Sequence, residues 1–306
     1  MQEERFVKGT FASVTGQKLE WRHWRPEGRP RAIVQLVHGM AEHISRYDET
    51  AQRLNAAGYA VAGHTHLGHG KHAKTQGYFA EANGWDALID DTHTLREQLD
   101  EAYPGVPHFL LGHSMGSFVV RTYCLKYEKG LKGVILSGTG HFEKPILTVA
   151  GAVAGLQCAL GMAQKPSHLV EWLSSAGNNK GYENPQTKFD WLSRDGEQVA
   201  AYMADPHCGF TFTASAYRDM FSGLKRLYPE KLGAMEKDIP IYLFAGDMDP
   251  VGSHGAGVRK VAEELRDAGV KDVTVKLYKD GRHEMFNELN KEEVRADLIA
   301  WLDSKL

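Results

Sequence analysis

The chain has 306 residues, 42% hydrophobic and 25% charged, enough for one large α/β domain with an insertion or for two ordinary domains. Lysine and arginine total 36 against 39 acids, a net charge of −3; with no basic block, no nucleic-acid partner is expected. The opening MQEERFVKG lacks the apolar core of a signal peptide, so the expectation is a cytoplasmic protein whose three cysteines (Cys124, Cys158, Cys208) are reduced.

In chain order, FVKGTFASV and KLEWRHWRP alternate enough to form an antiparallel hairpin at one sheet edge. AIVQLV (32–37) reads as a buried strand, and AVAG (60–63) as a shorter one after the turn at Gly58. HFLLG (108–112), GVILSG (133–138), IYLFAG (241–246) and VTVKLY (273–278) extend the set. Helical periodicity fills 46–57, 84–101, 115–128, 255–268 and 291–304. This alternation predicts an α/β fold with a mostly parallel central sheet flanked by helices. Residues 141–212 break it: they hold no convincing strand and read as an inserted helical cap. The division is therefore a core of 1–140 and 213–306 with a cap of 141–212. A cap at that point covers the carboxyl ends of the strands, where open α/β sheets bind ligands.

Gly112-His113-Ser114-Met115-Gly116 is a G-x-S-x-G between an apolar run and a helical one. That strand–turn–helix setting projects a serine hydroxyl above a sheet. A serine needs a base, and the base needs an orienting carboxylate. AGDMDPVG (245–252) and YKDGRHEMF (278–286) follow the last two strands, placing Asp249 and His283 in loops at strand carboxyl ends, in the order nucleophile, acid, base. For an oxyanion hole, the loop HGMAEH (38–43) offers the N–H of Met40, and the residue after the nucleophile offers that of Met115.

The chain resembles the α/β-hydrolase family, and within it the monoacylglycerol lipase/lysophospholipase-like group. HGMAEHISRYD (38–48), GHG (68–70), GYFAEANGW (77–85), GHSMGS (112–117), DPHCGF (205–210), GDMDPVG (246–252) and GRHEMFNE (281–288) carry the resemblance. It implies an α/β-hydrolase fold with an inserted cap. The implied activity is a serine carboxylic-ester hydrolase acting on small acyl esters such as monoacylglycerols or lysophospholipids, without a cofactor. It favours Asp249 over Asp247 as the triad acid, and puts Glu42, Arg46 and His113 near the leaving-group alcohol. A serine peptidase of the prolyl-aminopeptidase type, or a catalytically silent binding protein on the same scaffold, are the alternatives. Nothing in the sequence sets the oligomeric state.

HTHLGHGKH (64–72) holds four of the fifteen histidines. Its His-x-His-x-x-His spacing is similar to the run that opens the zinc sites of metallo-β-lactamase-type hydrolases, but Gly68 stands where those need an aspartate ligand. No metal is therefore expected. The histidines are read as turn and surface residues, with His66 or His69 hydrogen-bonded under the active-site loop. Related sequences have Asp-His-Arg-Gly-His-Gly here, so Thr65 and Leu67 replace a charge pair. In the cap, PILTVAGAVAGLQCALGMA (145–163) approaches the length of a membrane span. A span there would split the sheet between two of its strands. As a helix it puts Ile146, Val149, Val153, Leu156 and Leu160 on one stripe, leaving Gly151, Ala152, Ala154, Gly155 and Ala159 to pack closely elsewhere. From that stripe, Val153 and Leu156 are expected to line an acyl tunnel, with a transient contact of the cap with lipid surfaces.

Overall fold

Strands that are buried on both faces must be apolar at every position, and that is how the central strands read. A computed structural model of the chain describes residues 6–306. Its elements run β1 (Phe6–Ala12), β2 (Lys18–Trp24), β3 (Ala32–Val37), α1 (Asp48–Ala56), β4 (Tyr59–His64), α2 (Gly84–Ala102), β5 (His108–His113), α3 (Met115–Tyr127) and β6 (Leu131–Ser137). Then come α4 (Lys144–Gln157), α5 (His168–Ser175), α6 (Gly196–Ala204), α7 (Ala214–Leu224), β7 (Ile241–Gly246), α8 (Ala256–Asp267), β8 (Val273–Tyr278) and α9 (Lys291–Ser304).

The eight strands form one sheet in the order β1-β2-β4-β3-β5-β6-β7-β8. Pairing is parallel from β4 across to β8, while β1 and β2 form the antiparallel edge. Every residue of β3, β4, β5 and β7 is buried, whereas the edge strand β1 alternates between exposed and partly buried. Period-two alternation divides the core. Leu110 and Leu243 face one side with Leu88, Val119 and Val258, and Phe109, Leu111 and Phe244 face the other with Leu54, Leu298 and Trp301. Chain reversals therefore gather at the carboxyl ends of β3, β5, β7 and β8.

Between β6 and β7 the chain leaves the sheet. Lys144–Met162 is long and apolar enough to cross a membrane by length and composition, yet β6 and β7 are direct neighbours, pairing Val134 with Ile241. The helix begins at Lys144 with Pro145 in its first turn and ends in a π-helical turn, Cys158–Met162, where Gly161 has φ 80°. A helix with no counterpart in the sequence reading follows the cap. In α7, Thr213 caps the N-terminus by accepting from the Ala216 N–H, and Ala216, Tyr217, Met220, Phe221 and Leu224 are buried. It is the seat on which α4 rests: a Cβ added at Gly151 would lie 3.8 Å from Phe221 Cβ.

Candidate active site

Ser114 sits between β5 and α3 with φ 52° and ψ −122°, a conformation L-residues avoid. The flanking glycines make it attainable. A Cβ at Gly112 would meet Gly116 O at 2.3 Å, and one at Gly116 would meet Val37 O at 2.0 Å. Only glycine lets the turn lie this close to β3, and the turn directs the partly exposed Ser114 side chain above the sheet.

Ser114 Oγ lies 2.7 Å from His283 Nε2. His283 Nδ1 lies 2.9 Å from Asp249 Oδ1 and 3.0 Å from Oδ2. His283 and Asp249 are both buried, and Asp249 Oδ1 also accepts the Val251 N–H at 2.9 Å. Burial works to lower the pKa of His283, but the Asp249 charge and hydrogen bond outweigh it and raise the pKa above the ordinary imidazole value. Asp247 takes no part, and its Oδ1 has no partner among the described residues. The Trp191 ring lies 4.9 Å from that of His283, while the His283 and Glu284 amides donate to Trp191 O and Leu192 O at 3.3 and 2.7 Å. The stretch between β6 and β7 thereby holds the loop that carries His283.

The loop after β3 faces Ser114 from the other side. Among the described residues the amides of Met40 and Met115 have no acceptor, whereas the Gly39 N–H donates to Glu42 Oε1 at 2.5 Å. Glu42 also accepts from Tyr47 Oη and Arg46 Nη1, each at 2.8 Å. The same guanidinium makes a bidentate pair with Glu284 at 2.6 and 2.7 Å. Burial opposes charge on Glu284, but Arg46 overrides it and holds the carboxyl at about 2. His113 is buried with its ring 4.9 Å from that of His283, and burial followed by the His283 charge lowers its pKa to about 4. Glu42, Arg46 and His113 thus meet around a water-sized recess of about 10 Å³ beside Ser114, with Glu284 as a fourth member. Glu284 had no role assigned from sequence, although its place directly after His283 is a usable signal.

Within the histidine run His72 is exposed, as expected, whereas His64, His66 and His69 are at most 3% exposed. This corrects a surface placement for His64, while His66 and His69 are hydrogen-bonded under the loop after β3 as expected. Neutral imidazole can be buried when its nitrogens are bonded. His66 Nε2 donates to His38 O at 3.2 Å, His69 Nδ1 donates to Leu67 O at 2.9 Å, and His69 Nε2 accepts from the Ala41 N–H at 3.2 Å. These bonds occupy three of the six ring nitrogens of His64, His66 and His69, including both of those on His69. Among the described residues the His64 ring nitrogens have no hydrogen-bond partner, and the ring packs edge-on to Phe11, its pKa lowered to about 3 by burial. At the two positions where the resemblance implies a charge pair, Leu67 is buried in the core and Thr65 Oγ1 accepts from the Ile44 N–H at 3.5 Å. Among the described residues, His43, Asp205 and Cys208 bring ligand atoms within 4.8 Å of one another. His43 is already engaged there, with Nε2 bonded to Asp205 at 2.8 Å and Nδ1 to Ser45 at 2.5 Å.

A cavity of about 860 Å³ opens over Ser114, with Met40, Phe118, Phe142, Phe189, Met220 and Leu224 among its lining residues. The first turns of α4 contribute Ile146, Leu147, Val149 and Ala150. Val153 and Leu156 do not reach the cavity: Val153 packs partly buried on the core, and Leu156 is 63% exposed. The expected stripe therefore divides, with Ile146 and Val149 at the cavity, Val153 on the core and Leu156 and Leu160 facing outward, while the small residues, with Ala154 fully buried, permit the close approach to α7.

The family model described as "Serine aminopeptidase, S33" matches residues 28–290. The chain is 31% identical over 304 residues to a monoacylglycerol lipase of Mycolicibacterium smegmatis, covering 97% of each protein. It is 38% identical to the monoglyceride lipase of Mus musculus, covering 97% of this chain and 90% of that one. Among solved structures, a highly thermostable carboxyl esterase from Bacillus coagulans in complex with glycerol superimposes with a TM-score of 0.92, at 32% identity, covering 98% of this chain and 99% of that one.

Proposed function

We infer, for a chain that belongs to the serine aminopeptidase S33 family of α/β-hydrolases and is a carboxylic-ester hydrolase, that Ser114, His283 and Asp249 cleave monoacylglycerols or closely similar monoacyl esters. The observation that carries this reading is the Ser114 Oγ to His283 Nε2 contact of 2.7 Å on the floor of a large, mostly apolar cavity. Ser114 Oγ attacks the acyl carbon while His283 Nε2 takes its proton and Asp249 stabilises the imidazolium. The tetrahedral oxyanion accepts from the Met40 and Met115 N–H groups. The C–O bond then breaks, His283 returns the proton to the departing alcohol, and an acyl-Ser114 ester remains. Water repeats the sequence and releases the acid.

Polar and apolar parts of the cavity suit the two halves of such a substrate. Glu42, His113 and Glu284 line its floor, where a glycerol alcohol can exchange hydrogen bonds, and Arg46 lies behind them. An acyl chain can run along Phe142, Ile146, Val149 and Leu224, gaining about 0.8 kcal/mol per buried methylene. Leu156, Leu160 and Trp172, outside the cavity, are each more than 60% exposed, and we assign this outer face of the cap to transient contact with the lipid surface that supplies substrate. A peptidase that trims amino termini needs a free anion for the substrate ammonium, whereas both floor carboxylates are paired with Arg46. Rates on monoacylglycerols and p-nitrophenyl acyl esters, set against aminoacyl p-nitroanilides, test the reading. Ester turnover lost in Ser114→Ala supports it; preference for the anilides overturns it.

A further inference from the structure

The run HTHLGHGKH presents a chemical puzzle. His69 occupies an aromatic box, with its ring centroid 5.3 Å from those of Phe210 and Phe212 and 6.3 Å from a stacked Phe79. Shape alone would suit a phenylalanine. What an imidazole adds is two nitrogens, and both are used: Nδ1–H on Leu67 O, and Nε2 on the Ala41 N–H.

Ala41 follows Met40, and it is held at φ 52° although it carries a Cβ. Left-handed backbone of this kind persists only where its surroundings over-determine it. Ala41 O accepts from Tyr202 Oη at 3.0 Å and from the Gly209 N–H at 2.9 Å, and the peptide N–H is held by His69. One residue earlier, the peptide joining Gly39 to Met40 is held through its carbonyl, because His38 Nδ1–H donates to Gly39 O at 2.8 Å. That is the same peptide whose N–H belongs to Met40. His38 Nε2 then accepts from the His66 N–H at 3.0 Å. The peptide joining His38 to Gly39 is held on both sides, by His66 Nε2–H on His38 O and by Glu42 on the Gly39 N–H. Three consecutive peptides are thereby fixed by side chains, and three of the four clamping side chains are histidines.

We propose that His38, His66 and His69 are positioning residues that fix the Gly39–Met40 peptide so that its N–H points at the oxyanion formed on Ser114. The inference rests on the acyl-ester reading above. Each imidazole acts in its neutral form, as donor at one nitrogen and, in His38 and His69, as acceptor at the other. Burial maintains that state, lowering the pKa of all three and that of His69 to about 4. Preorganised donors accelerate a reaction because they need no reorientation when charge develops. A loosened clamp should therefore weaken binding of the transition state while leaving binding of the ester itself unchanged.

The test uses the full chain, p-nitrophenyl butyrate, and a trifluoromethyl ketone whose hemiketal with Ser114 places an oxyanion at the same point. Active sites are counted by end-point titration with a fluorophosphonate, so rates refer to folded enzyme. His69→Phe keeps the shape and removes the acceptor; His69→Gln restores an acceptor and a donor. For His69→Phe we expect kcat to fall roughly 10- to 100-fold, short of the ~10²–10³ for outright loss of an oxyanion donor. KM should stay within about threefold, and the ketone's Ki should rise in proportion to the loss in kcat. His69→Gln should recover most of both. Should His69→Phe not fold, His66→Leu, which removes the donor to His38 O, carries the same test. Wild-type kcat in the folded variant, a falling kcat with an unmoved Ki, or equal damage in His69→Gln would each overturn the inference. Failure of the acyl-ester reading shows separately, as absence of ester turnover by the unmutated chain.

Discussion

The floor of the site and its roof are built on opposite plans. On the floor, residues 38–41 are hydrogen-bonded peptide by peptide, and the buried carboxylates of Glu42 and Glu284 are paired with the mostly covered Arg46. On the roof, α4 exposes Ile146, Val149 and Leu156 and uses small residues to sit on α7. Covalent chemistry needs donors and bases at fixed distances, because electrostatic stabilisation is directional. Holding an acyl chain needs only area, because apolar burial has no direction. Substitutions on the floor should therefore act on every substrate alike, and those on the roof should act according to chain length.

The largest break in this contrast is Ser114→Ala. Loss of the nucleophile costs on the order of 10⁶ in kcat, and steady-state rates on butyrate and dodecanoate esters should vanish together. Asp249→Asn follows, with an expected loss of about 10⁴ through the wrong imidazole tautomer. Asp247→Asn is its control and should remain within about tenfold, since Asp247 does not touch His283.

Arg46→Leu strands two buried carboxylates. Breaking a buried pair by removing one partner costs about 3–5 kcal/mol, so thermal unfolding should shift down by many degrees while chain-length preference is unchanged in the fraction that stays folded. On the roof, Val149→Asp should lower the preference for dodecanoyl over butyryl esters by about tenfold, the equivalent of roughly two buried methylenes. Leu156→Asp, outside the cavity, should leave rates on dissolved esters alone and reduce only those on emulsified substrate. Equal loss at all chain lengths for Val149→Asp would mean that the helix is structural support and the contrast false.

The smallest effect sharpens the floor's electrostatics. In the proposed mechanism His283 accepts the Ser114 proton only when neutral, so kcat/KM should rise with pH along the titration of His283. Asp249 raises that pKa, so the midpoint of the rising limb should lie above the ordinary imidazole value of about 6.5 and fall back toward it in Asp249→Asn. A midpoint below the ordinary value in the unmutated enzyme would contradict the balance between burial and the Asp249 charge.

The parallel strands were legible in the sequence because burial on both faces leaves continuous apolar runs, and AIVQLV and IYLFAG are β3 and β7 residue for residue. The Ser114, Asp249 and His283 set was legible because each stands on a loop after a strand, with the glycines that its turn needs. Helix α7 was not. ASAYRDMFSGL mixes polar and aromatic residues over eleven positions and follows the irregular cap, so only the Thr213 cap marks it. In α4 the small face packs as its sequence implies, and Ile146 and Val149 of the apolar stripe reach the cavity. That Val153 and Leu156 do not is beyond apolar periodicity, which cannot distinguish a stripe that faces the core from one that faces lipid or solvent. In this helix the closer approach belongs to Ala154 and Gly151. Within the histidine run, the depth of burial of His64, His66 and His69 is hidden because hydropathy treats imidazole as polar, although the bonding of His66 and His69 under the loop is as expected. That burial depends on partners more than twenty residues away, Ala41 and His38, which no local pattern contains.

One measurement addresses the central claim most directly: peptide-level mass spectrometry of enzyme quenched during turnover of a slowly deacylated monoacyl ester. A single acyl group per chain is expected, located on Ser114, formed by the unmutated enzyme and absent in both Ser114→Ala and His283→Ala. Turnover with no covalent acyl-enzyme, or an acyl group on another residue such as Cys208, would contradict it.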